Sequence, residues 1–487
     1  MPLEDIKAAR LEKLEHLKKT GVNPYPAKSW RTHSVAQVLE EFDALSQSKA
    51  VLALAGRIMA KREHGGATFL DIDDGSGKIQ VLIKKDSVGN KEYESFGKTV
   101  DIGDILEVSG TPFITTKDER TLAAEKYRIL TKSLLPLPEK WHGLQDVEER
   151  FRKRYLDLLL NRDVRKKFEM RSKIIQEIRN FFIEKDFMEV TTPTLQLLYG
   201  GASARPFKTH VHFMNIDVFL RIAPELYLKR LLVGGLEKVF EFTTNFRNEG
   251  IDRDHNPEFS GVEFYAAYKD LDWAMELTEE LFERVLANIK NDKIISYQGT
   301  TVNFKRPYAR ATFNELLKKH AKIDYDFADE EQLKKKAQDL GIMIEKVVGK
   351  GAVADEIFKK VIRTKLIDPI FVTDYPAELL PLAKRLDESS EYVGAFQFYA
   401  GGLELIKAFS ELNDPIDQRA RLEAQEQSRA KGDEEAQRLD EDYIEALEYG
   451  MPPAAGWGLG IDRLVALLTD SHSLREIILF PLMKPRD

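Results

Sequence analysis

The sequence contains no cysteine, which excludes disulfide bonds and thiolate metal sites. Its nine histidines are scattered along 487 residues, so a zinc site is not expected. No apolar run approaches the length that spans a bilayer, and the charged N-terminus lacks the apolar segment of a signal peptide. Two phosphate-binding patterns are also missing: GxxxxGK followed by Ser or Thr, and a GxGxxG that opens a βαβ unit. These absences predict a cytoplasmic protein without membrane partners.

The formal net charge is −8 at pH 7. That balance argues against nonspecific nucleic-acid binding through bulk charge, but it leaves room for a local basic surface. Ten basic side chains lie between residues 150 and 173: Arg150, Arg152, Lys153, Arg154, Arg162, Arg165, Lys166, Lys167, Arg171 and Lys173. A solvated helix face and a binding surface account for this stretch equally well.

Residues 49–135 contain five short segments with strand character and a helical stretch between the third and the fourth. This order is that of an OB-fold, a small β-barrel that binds oligonucleotides. Four side chains would bring cationic, aromatic and amide groups to it: Lys61, Arg62, Phe69 and Gln80. That mixture suits stacking and hydrogen bonding to unpaired bases. A β-domain that serves only as a spacer is the alternative.

The stretch Val239 to Tyr265 predicts two strands joined by a long, charged turn. The turn carries side chains that a structural connection does not need: Arg247, Glu249, Arg253, His255, Asn256 and Glu258. Strand alternation places Glu263 and Tyr265 on one face of the second strand. Such a face is a poor core but a plausible floor for an ionic ligand. An ordinary solvated hairpin is the alternative.

The other segments of the C-terminal part predict a mixed α+β domain. A helix from Val164 to Phe187 leads into a strand that ends at Pro193, which would suit a dimer contact. Residues 310–365 are charged and helix-rich and are interpreted as an insertion, and one strand is expected from Phe396 to Ile406. Near the C-terminus, a glycine-rich strand end precedes a helix that carries Arg463 in its first turn. Open backbone and a cation at a helix start predict an anion site.

Three elements thus occur in order: a helix, strand and proline; a charged hairpin; and a glycine-rich strand followed by an arginine-bearing helix. Together they resemble motifs 1, 2 and 3 of class II aminoacyl-tRNA synthetases. The segments FRNEGIDRDHNPEF, RIAPELYLKR, FSELNDP and GWGLGIDR, behind an OB-domain, are similar to those of class II lysyl-tRNA synthetases. The resemblance covers nearly the whole chain, least clearly the insertion.

This resemblance implies an α+β fold with an N-terminal OB-fold β-barrel and a class II catalytic domain, whose antiparallel sheet of six or seven strands is flanked by helices. The implied domains are a helical extension, the anticodon-binding OB-fold, a linker and the catalytic domain with an insertion near 310–365. Their expected bounds are 1–48, 49–135, 136–160 and 161–487. A homodimer is implied as well.

The resemblance also implies an activity, the ATP-dependent aminoacylation of tRNA(Lys) with L-lysine through lysyl-adenylate, assisted by Mg²⁺ and without DNA as a partner. In the first step the attacking carboxylate is already ionised at neutral pH, so no general base is required. Positioning and charge neutralisation must therefore provide the catalysis.

The implied site residues follow from positions that match the family's motifs. Catalysis is assigned to Arg247 and Arg463. ATP binding is assigned to Arg247, Asn248, Glu249, His255, Asn256, Phe259, Gly458, Gly460 and Arg463. Lysine binding is assigned to Gly201, Glu225, Glu263, Tyr265, Lys407 and Glu411. Metal binding is assigned to Glu404 and Gln397, and anticodon binding to Phe69, Gln80 and Glu119.

Charge favours lysine as the amino acid independently of the motifs. Three carboxylates, those of Glu225, Glu263 and Glu411, would repel one another in an empty pocket, and a ligand with two ammonium groups would offset that repulsion. An aspartyl- or asparaginyl-type synthetase, which shares the architecture, is one alternative, and for aspartate cationic residues would be expected here. A catalytically impaired, synthetase-like RNA-binding protein is another. Lysyl transferases that modify proteins are a third, although such relatives lack the anticodon domain.

Three positions depart from the family's pattern. Lys407 stands where bacterial relatives usually have Asn, and Gln397 stands where a second metal-binding carboxylate is expected. Asp254 occupies a position in the motif 2 loop that is often Arg. We hypothesise that Lys407 partly replaces charge that metal ions otherwise supply, and that further Mg²⁺ ions are held more weakly.

Overall fold

The structure is a computed structural model that describes residues 2–138, 144, 146–344, 349–387, 390–430 and 436–486. The chain divides into two compact units, Met1–Asp146 and Val147–Asp487, each of which is described by itself. Part of the predicted linker, residues 139–143 and 145, lies outside the described residues, as do 345–348 of the predicted insertion. No helix among the described residues is long and apolar enough to cross a membrane.

Five strands of the first unit close into a barrel in the order β1-β2-β3-β5-β4, which confirms the predicted OB-fold. The strands are β1 Leu52–His64, β2 Ala67–Asp73, β3 Lys78–Lys84, β4 Ile105–Ile114 and β5 Arg120–Thr131. Alternate residues of β1 are buried from Leu52 to Ile58 because successive side chains point to opposite faces. At the β2–β3 turn, the Asp74 carboxylate accepts hydrogen bonds from the amides of Ser76 and Gly77.

Five helices accompany the barrel. They are α1 Leu3–Lys19, α2 Val35–Glu40, α3 Phe42–Gln47, α4 Lys85–Val88 and α5 Asn90–Thr99. The sequence pattern predicts one short helix from Val35 to Ala44, and this prediction is wrong, because the helix ends at Glu40 and α3 begins two residues later. A capping box between Ser34 and Gln37 starts α2 by satisfying two backbone donors.

Thirteen strands, most of them short, lie among the described residues of the second unit. They are β6 Met188–Glu189, β7 Leu195–Gln196, β8 Lys208–Val211, β9 Ile216–Leu220, β10 Lys238–Phe246, β11 Glu258–Ala267, β12 Ile294–Tyr297, β13 Thr300–Asn303, β14 Ala309–Thr312, β15 Ile370–Pro376, β16 Tyr392–Ala400, β17 Leu403–Ser410 and β18 Ala454–Gly460. Eight of them form the main sheet in the order β14-β15-β16-β17-β18-β11-β10-β6. The sheet is antiparallel except at its two edges, where β14 and β6 pair in parallel. These short edge strands explain why it has eight strands instead of the expected six or seven.

One strand prediction is wrong in a way that affects the site. The expected strand from Phe396 to Ile406 is two antiparallel strands, β16 and β17, which reverse at Gly401 and Gly402. Both glycines have positive φ, +60° and +74°, a region that L side chains rarely adopt. A Gly-Gly pair between two apolar runs is a hairpin signal, and the prediction overlooked it.

Eleven α-helices lie among the described residues of the second unit. They are α6 Val147–Arg152, α7 Arg154–Leu160, α8 Arg162–Glu184, α9 Glu225–Val233, α10 Leu271–Ile289, α11 Phe313–Leu316, α12 Glu330–Asp339, α13 Lys350–Ile357, α14 Pro415–Ala430, α15 Glu441–Glu448 and α16 Ile461–Leu468, with π-helical turns at Leu317–Ala321 and Phe358–Ile362 and 3-10 turns at Arg363–Lys365, Ala377–Leu379 and Leu474–Glu476. Helices α8, α10 and α16 contribute to the largest core, where the Phe264 ring stacks on Trp457 at 5.0 Å. This core takes up one face of the central strands. Residues near the ends of the opposite face pack in two further cores, and polar side chains occupy the region between them.

Several members of the basic stretch at residues 150–173 make internal contacts. Arg154 is buried, and its Nη1 donates to Asp157 at 2.7 Å. On α8, Arg171 pairs with Asp462 at 2.6 Å and Lys167 with Glu476 at 2.8 Å. These three cations therefore tie helices of the second unit together.

Candidate active site

One row of residues crosses four neighbouring strands on the polar face of the main sheet. Glu263 of β11 lies opposite Gly458 of β18, Gly458 lies opposite Lys407 of β17, and Lys407 lies opposite Gln397 of β16. Directly opposed residues point to the same face, and neighbouring strands lie about 4.8 Å apart. Gly458 has no side chain, so the space above it between Glu263 and Lys407, here called the slot, is bounded by the Glu263 side chain, whose Cγ would lie 3.3 Å from a Cβ at Gly458.

A cavity of about 500 Å³ opens over this row. Of the residues predicted for the site, the cavity is lined by Gly201, Glu225, Arg247, Glu249, His255, Asn256, Phe259, Glu263, Tyr265, Gln397, Glu404, Lys407, Gly458, Gly460 and Arg463. Asn248 and Glu411 are not among the lining residues. Asn248 is exposed in the hairpin loop, whereas Glu411 is buried beneath the floor. The sheet therefore gathers most of the predicted residues around one space.

The cavity has an acidic end, formed by Glu225, Lys229, Glu263, Tyr265 and Glu411. Lys229 is fully buried there, and its Nζ donates to Glu225 Oε1 at 2.7 Å and forms an ion pair with Glu411 Oε2. Burial alone would lower the pKa of Lys229, but the two carboxylates raise it, so the ammonium stays charged. This corrects the expectation that all three carboxylates depend on a ligand for compensation. With every carboxyl ionised, Lys229 leaves two negative charges uncompensated.

Two carboxyls of the acidic end hold protons more tightly than usual. Burial and the neighbouring Glu225 raise the pKa of Glu263 to about 8, although the Tyr265 hydroxyl donates to its Oε2 at 3.3 Å. Burial also raises the pKa of Glu411 to about 8 against the influence of Lys229. A ligand that carries positive charge would therefore displace protons from this end of the cavity.

Two glycines shape the acidic end. A Cβ at Gly456 would lie 1.7 Å from Glu411 Oε1, an atom that is buried without a hydrogen-bond partner in the described part of the chain. Gly201 has φ +86°, and a Cβ there would lie 2.8 Å from the Cβ of Glu225. The Gly201 amide donates to Gln437 Oε1 at 3.1 Å, which fixes its loop beside the carboxylates.

The opposite, basic end of the cavity is formed by Arg247, Lys359, Glu404, Lys407 and Arg463. The Arg247 guanidinium lies 5.0 Å from the centre of the Phe259 ring, and burial lowers its pKa. Arg463, in the first turn of α16, donates to the backbone carbonyl of Glu404 at 2.9 Å. Burial would raise the pKa of the Glu404 carboxyl, but the surrounding cations, Lys407 and Arg463 foremost, lower it. This end is suited to an anion.

The hairpin loop presents polar atoms without partners. Its fold depends on Asp252, whose carboxylate accepts hydrogen bonds from the amides of Asp254 and His255. Asn256 Nδ2 donates to the carbonyl of Glu258, while Asn256 Oδ1 and Arg247 Nε are buried and have no hydrogen-bond partner among the described residues. Buried unpaired polar atoms are rare in folded proteins, so these two atoms point to a missing ligand.

The donors at the basic end fit one magnesium ion better than several. Mg²⁺ commonly uses one or two protein carboxylates together with substrate phosphates, and Glu404 can supply one. The amide oxygen of Gln397 accepts hydrogen bonds from the hydroxyls of Tyr375, at 3.1 Å, and Tyr399, which use both of its lone pairs. Within the described ranges, no group of three or more His, Asp or Glu side chains is arranged to hold a metal. The expectation that Gln397 binds a metal through its oxygen therefore does not fit its hydrogen bonds.

In the first unit, the residues predicted for base recognition lie on neighbouring strands. Phe69 of β2 is partly buried, and Gln80 of β3 accepts a hydrogen bond from Thr121 Oγ1 at 3.0 Å through Oε1. That contact leaves the amide nitrogen of Gln80 as the group that can donate to a base. Glu119 is exposed in the turn before β5, two residues from Thr121.

Comparisons with known proteins agree with this geometry. Residues 146–484 match the model of the family described as tRNA synthetases class II (D, K and N). The chain belongs to this class II synthetase family. Residues 52–130 match the family described as OB-fold nucleic acid binding domain.

Among similar proteins, the lysine–tRNA ligase of Pelotomaculum thermopropionicum is 50% identical to this synthetase chain. The alignment covers 100% of this chain and 96% of the relative. That of Carboxydothermus hydrogenoformans is 49% identical over 100% of this chain and 99% of its own. For the lysine–tRNA ligase of a Nostoc species the identity is 46%, over 100% of this chain and 89% of its own.

Sequence reasoning missed four residues of the synthetase site. Lys229 follows Glu225 by four positions on α9, and that spacing was the available signal for an ion pair. Gln437 lies in a segment without a motif. Asp355 and Lys359 line the cavity from the predicted insertion and likewise stand four residues apart.

Proposed function

We propose that the protein joins L-lysine to tRNA(Lys) at the expense of ATP. The observation that carries this proposal is the division of one cavity into an acidic and a basic end, separated by the slot above Gly458. The two uncompensated negative charges of the acidic end equal the two ammonium groups of lysine. The names of the similar proteins, lysine–tRNA ligases from several bacteria, point to the same activity.

Lysine would lie along the row of the sheet with its ammonium groups toward Glu225, Glu263 and Glu411. Its carboxylate would then reach past Gly458 to Lys407, which faces the slot from the other side. Burial of carboxylates costs free energy unless a cation compensates them, so a neutral side chain of similar size would leave that cost in place. This is the physical basis of the proposed selectivity for lysine.

In the first step, an oxygen of the lysine carboxylate forms a bond to the α-phosphorus of ATP while the bond to the β-phosphate oxygen breaks, which releases pyrophosphate. Arg247 presents a planar fork that can bind the carboxylate and the α-phosphate together. Phe259 offers its ring to the adenine, and Arg463 offers a cation to the far phosphates. Held in this way, the reactants meet without a general base.

In the second step, the 3′-hydroxyl of the terminal adenosine of tRNA attacks the carbonyl carbon of lysyl-adenylate. AMP leaves with the electrons of the broken C–O bond, and its phosphate takes up the hydroxyl proton. One Mg²⁺ held by Glu404 and phosphate oxygens would neutralise charge on ATP and pyrophosphate. For the anticodon we propose the outer face of β2 and β3, where Phe69 stacks on a base, Gln80 donates to its edge and Glu119 lies nearby.

We further propose that two copies of the chain form a dimer through the end of α8 and the segment that follows it. Six large apolar side chains that lie close together in sequence are exposed there: Ile183, Met188, Leu195, Leu197, Phe213 and Met214. Strand β6 also forms an edge of the main sheet. Sedimentation at several concentrations tests this proposal, and a monomer at every concentration would contradict it. Because its substrates meet in the cytoplasm, we propose that location for the enzyme.

Amino-acid-dependent exchange between ATP and pyrophosphate, measured across all twenty amino acids, tests the activity. We expect exchange with lysine alone. Exchange with aspartate or asparagine would favour the related synthetases of the same family. If no amino acid supported exchange while tRNA still bound, the chain would be a synthetase-like RNA-binding protein.

Replacement of Phe69 by alanine tests the proposed anticodon face. Loss of one stacked base costs about 1–3 kcal/mol, so the KM for tRNA(Lys) should rise about tenfold or more while lysine-dependent exchange stays unchanged. Trp30→Ala is the control, because Trp30 is an exposed aromatic residue of the same unit that packs on Arg128 away from β2 and β3. Equal effects of the two variants would contradict the assignment.

A further inference from the structure

One cation of the inserted segment, Lys359, lines the basic end of the cavity, and a second, Arg363, is not a lining residue but approaches Asp254, which is. Lys359 belongs to the π-helical turn Phe358–Ile362, lines the cavity, and pairs through Nζ with Asp355 at 2.7 Å. Arg363 follows four residues later, with Nη2 3.9 Å from the carboxylate of Asp254 in the hairpin loop. The Nε atom of Arg363 is buried and has no hydrogen-bond partner in the part of the chain that the structure describes.

The surroundings of Glu404 indicate what these cations could bind. Lys359 and Lys407 line the cavity together with Glu404, and Arg463 Nη1 lies 3.9 Å from the Glu404 carboxylate. Around this end there are five cations, those of Arg253, Lys359, Arg363, Lys407 and Arg463, and four carboxylates, those of Asp254, Asp355, Glu356 and Glu404, so positive charge is in excess by one. An excess of fixed cations repels a second metal ion and attracts an anion.

Two other positions fit this distribution of charge. The hydrogen bonds from two tyrosines occupy the oxygen of Gln397, so that side chain neither adds negative charge nor offers a free oxygen to a metal. Asp254 stands where the related hairpin loops often carry an arginine, and it approaches Arg363. The loop's own Arg253 also pairs with Asp254, at 3.1 Å, so Arg363 is an additional cation beside a carboxylate that the loop already balances.

We propose that Lys359 and Arg363 bind the β- and γ-phosphate oxygens of ATP, and the same oxygens of pyrophosphate, in the place of a second divalent cation. The inference rests on the proposed use of ATP and adds phosphate-binding residues from the inserted segment. Asp355 is a positioning residue that holds Lys359 toward the cavity. It follows that the protein binds ATP when divalent cations are absent.

Binding measurements without catalysis test this inference. ATP and AMP are titrated by calorimetry into the full chain in EDTA, for the wild type, Lys359→Ala, Arg363→Ala, and Lys359→Arg. Each alanine variant should weaken ATP binding about tenfold, and Lys359→Arg should retain it, whereas AMP binding should not change because AMP lacks both outer phosphates. Lys360→Ala is the matched control, since Lys360 is exposed on the same turn and does not line the cavity.

A second measurement relates the two cations to the metal. The double variant Lys359→Ala/Arg363→Ala is compared with a triple variant that also carries Gln397→Glu. The third substitution should restore ATP binding in Mg²⁺ but not in EDTA, because the new carboxylate can bind a second ion. Unchanged ratios of ATP to AMP affinity in the alanine variants would overturn the inference. Loss of lysine-dependent exchange in the wild type would instead overturn the proposed function, while weaker ATP binding by the alanine variants would still support the phosphate site.

Discussion

The two ends of the cavity treat the same type of side chain in opposite ways. At the acidic end, burial and neighbouring carboxylates raise the pKa of Glu263 to about 8. At the basic end, cations more than offset burial and lower the pKa of Glu404. The pKa of a glutamate therefore depends on its neighbours, and it differs between two positions that are only a few strands apart. The acidic end suits a cationic ligand group, and the basic end suits an anionic one.

The ends also differ in how their charges are supported. The acidic end uses an internal ion pair, because Lys229 is fully buried between Glu225 and Glu411. The basic end relies on side chains that reach solvent, such as Lys407 and Lys359. Protons should therefore control binding at the acidic end, since buried carboxyls titrate with the ligand, whereas salt should control binding at the basic end.

The largest effect is expected from Lys229→Met, which removes the cation of the acidic end. Two buried carboxylates would lose their partner, a change that costs about 3–5 kcal/mol of folding stability. Thermal and urea unfolding at pH 7 measure the loss. It should shrink at pH 5, because the cost of burying Glu411, whose folded-state pKa is raised, falls as pH approaches the pKa of the unfolded carboxyl. Lys290→Met, an exposed lysine at the end of α10, is the control. Equal stability of the two variants would mean that Lys229 does not support this end.

At the basic end, Arg247→Ala should have the largest effect. Loss of a preorganised donor to a developing charge lowers kcat about 10²–10³-fold. Arg247→Lys keeps the charge but not the planar fork, so its rate of lysine-dependent exchange should fall between those of wild type and Arg247→Ala. A lysine variant as active as the wild type would show that charge alone is required there.

Sequence patterns predicted the parts of this comparison that depend on local periodicity. Strand alternation identified the face that carries Glu263 and Tyr265, and the order of five strands identified the OB-fold, because side-chain direction in strands follows sequence parity. The same reasoning failed at Phe396–Ile406, where the Gly-Gly reversal was overlooked. As a result, the pairing of Gln397 with Lys407 became apparent only from the register of the sheet.

The rest depended on contacts between residues that are distant in sequence. Lys229 meets Glu411 across more than 180 positions, and no local pattern relates a helix to a strand so far away. Lys359 reaches the cavity from a segment without motifs. The charges at both ends were therefore miscounted, whereas the positions taken from family motifs mostly gathered around one cavity.

The pH dependence of lysine binding should separate the two ends. Below pH 8 the carboxyl of Glu263 is protonated in the free protein, so binding of an ammonium group must release that proton. Lysine affinity should therefore rise as pH increases from 6 to 8, by up to about tenfold per unit for each proton released, and level off above 8. AMP affinity should stay flat over this range. Glu263→Gln should reduce the slope for lysine, and an unchanged slope would assign the proton to another group such as Glu411.

The smallest effect is expected from Lys407→Asn, because Lys407 is exposed and solvent screens its charge. An exposed pair with the lysine carboxylate contributes about 1 kcal/mol at most, so lysine affinity should fall no more than about fivefold, and less at high salt. Lysinamide, which lacks the carboxylate, serves as the control ligand and should bind wild type and variant equally well. If the substitution weakened the binding of lysinamide as much as that of lysine, Lys407 would act through the shape of the slot above Gly458. Its charge would then not contribute to the difference between the two ends of the cavity.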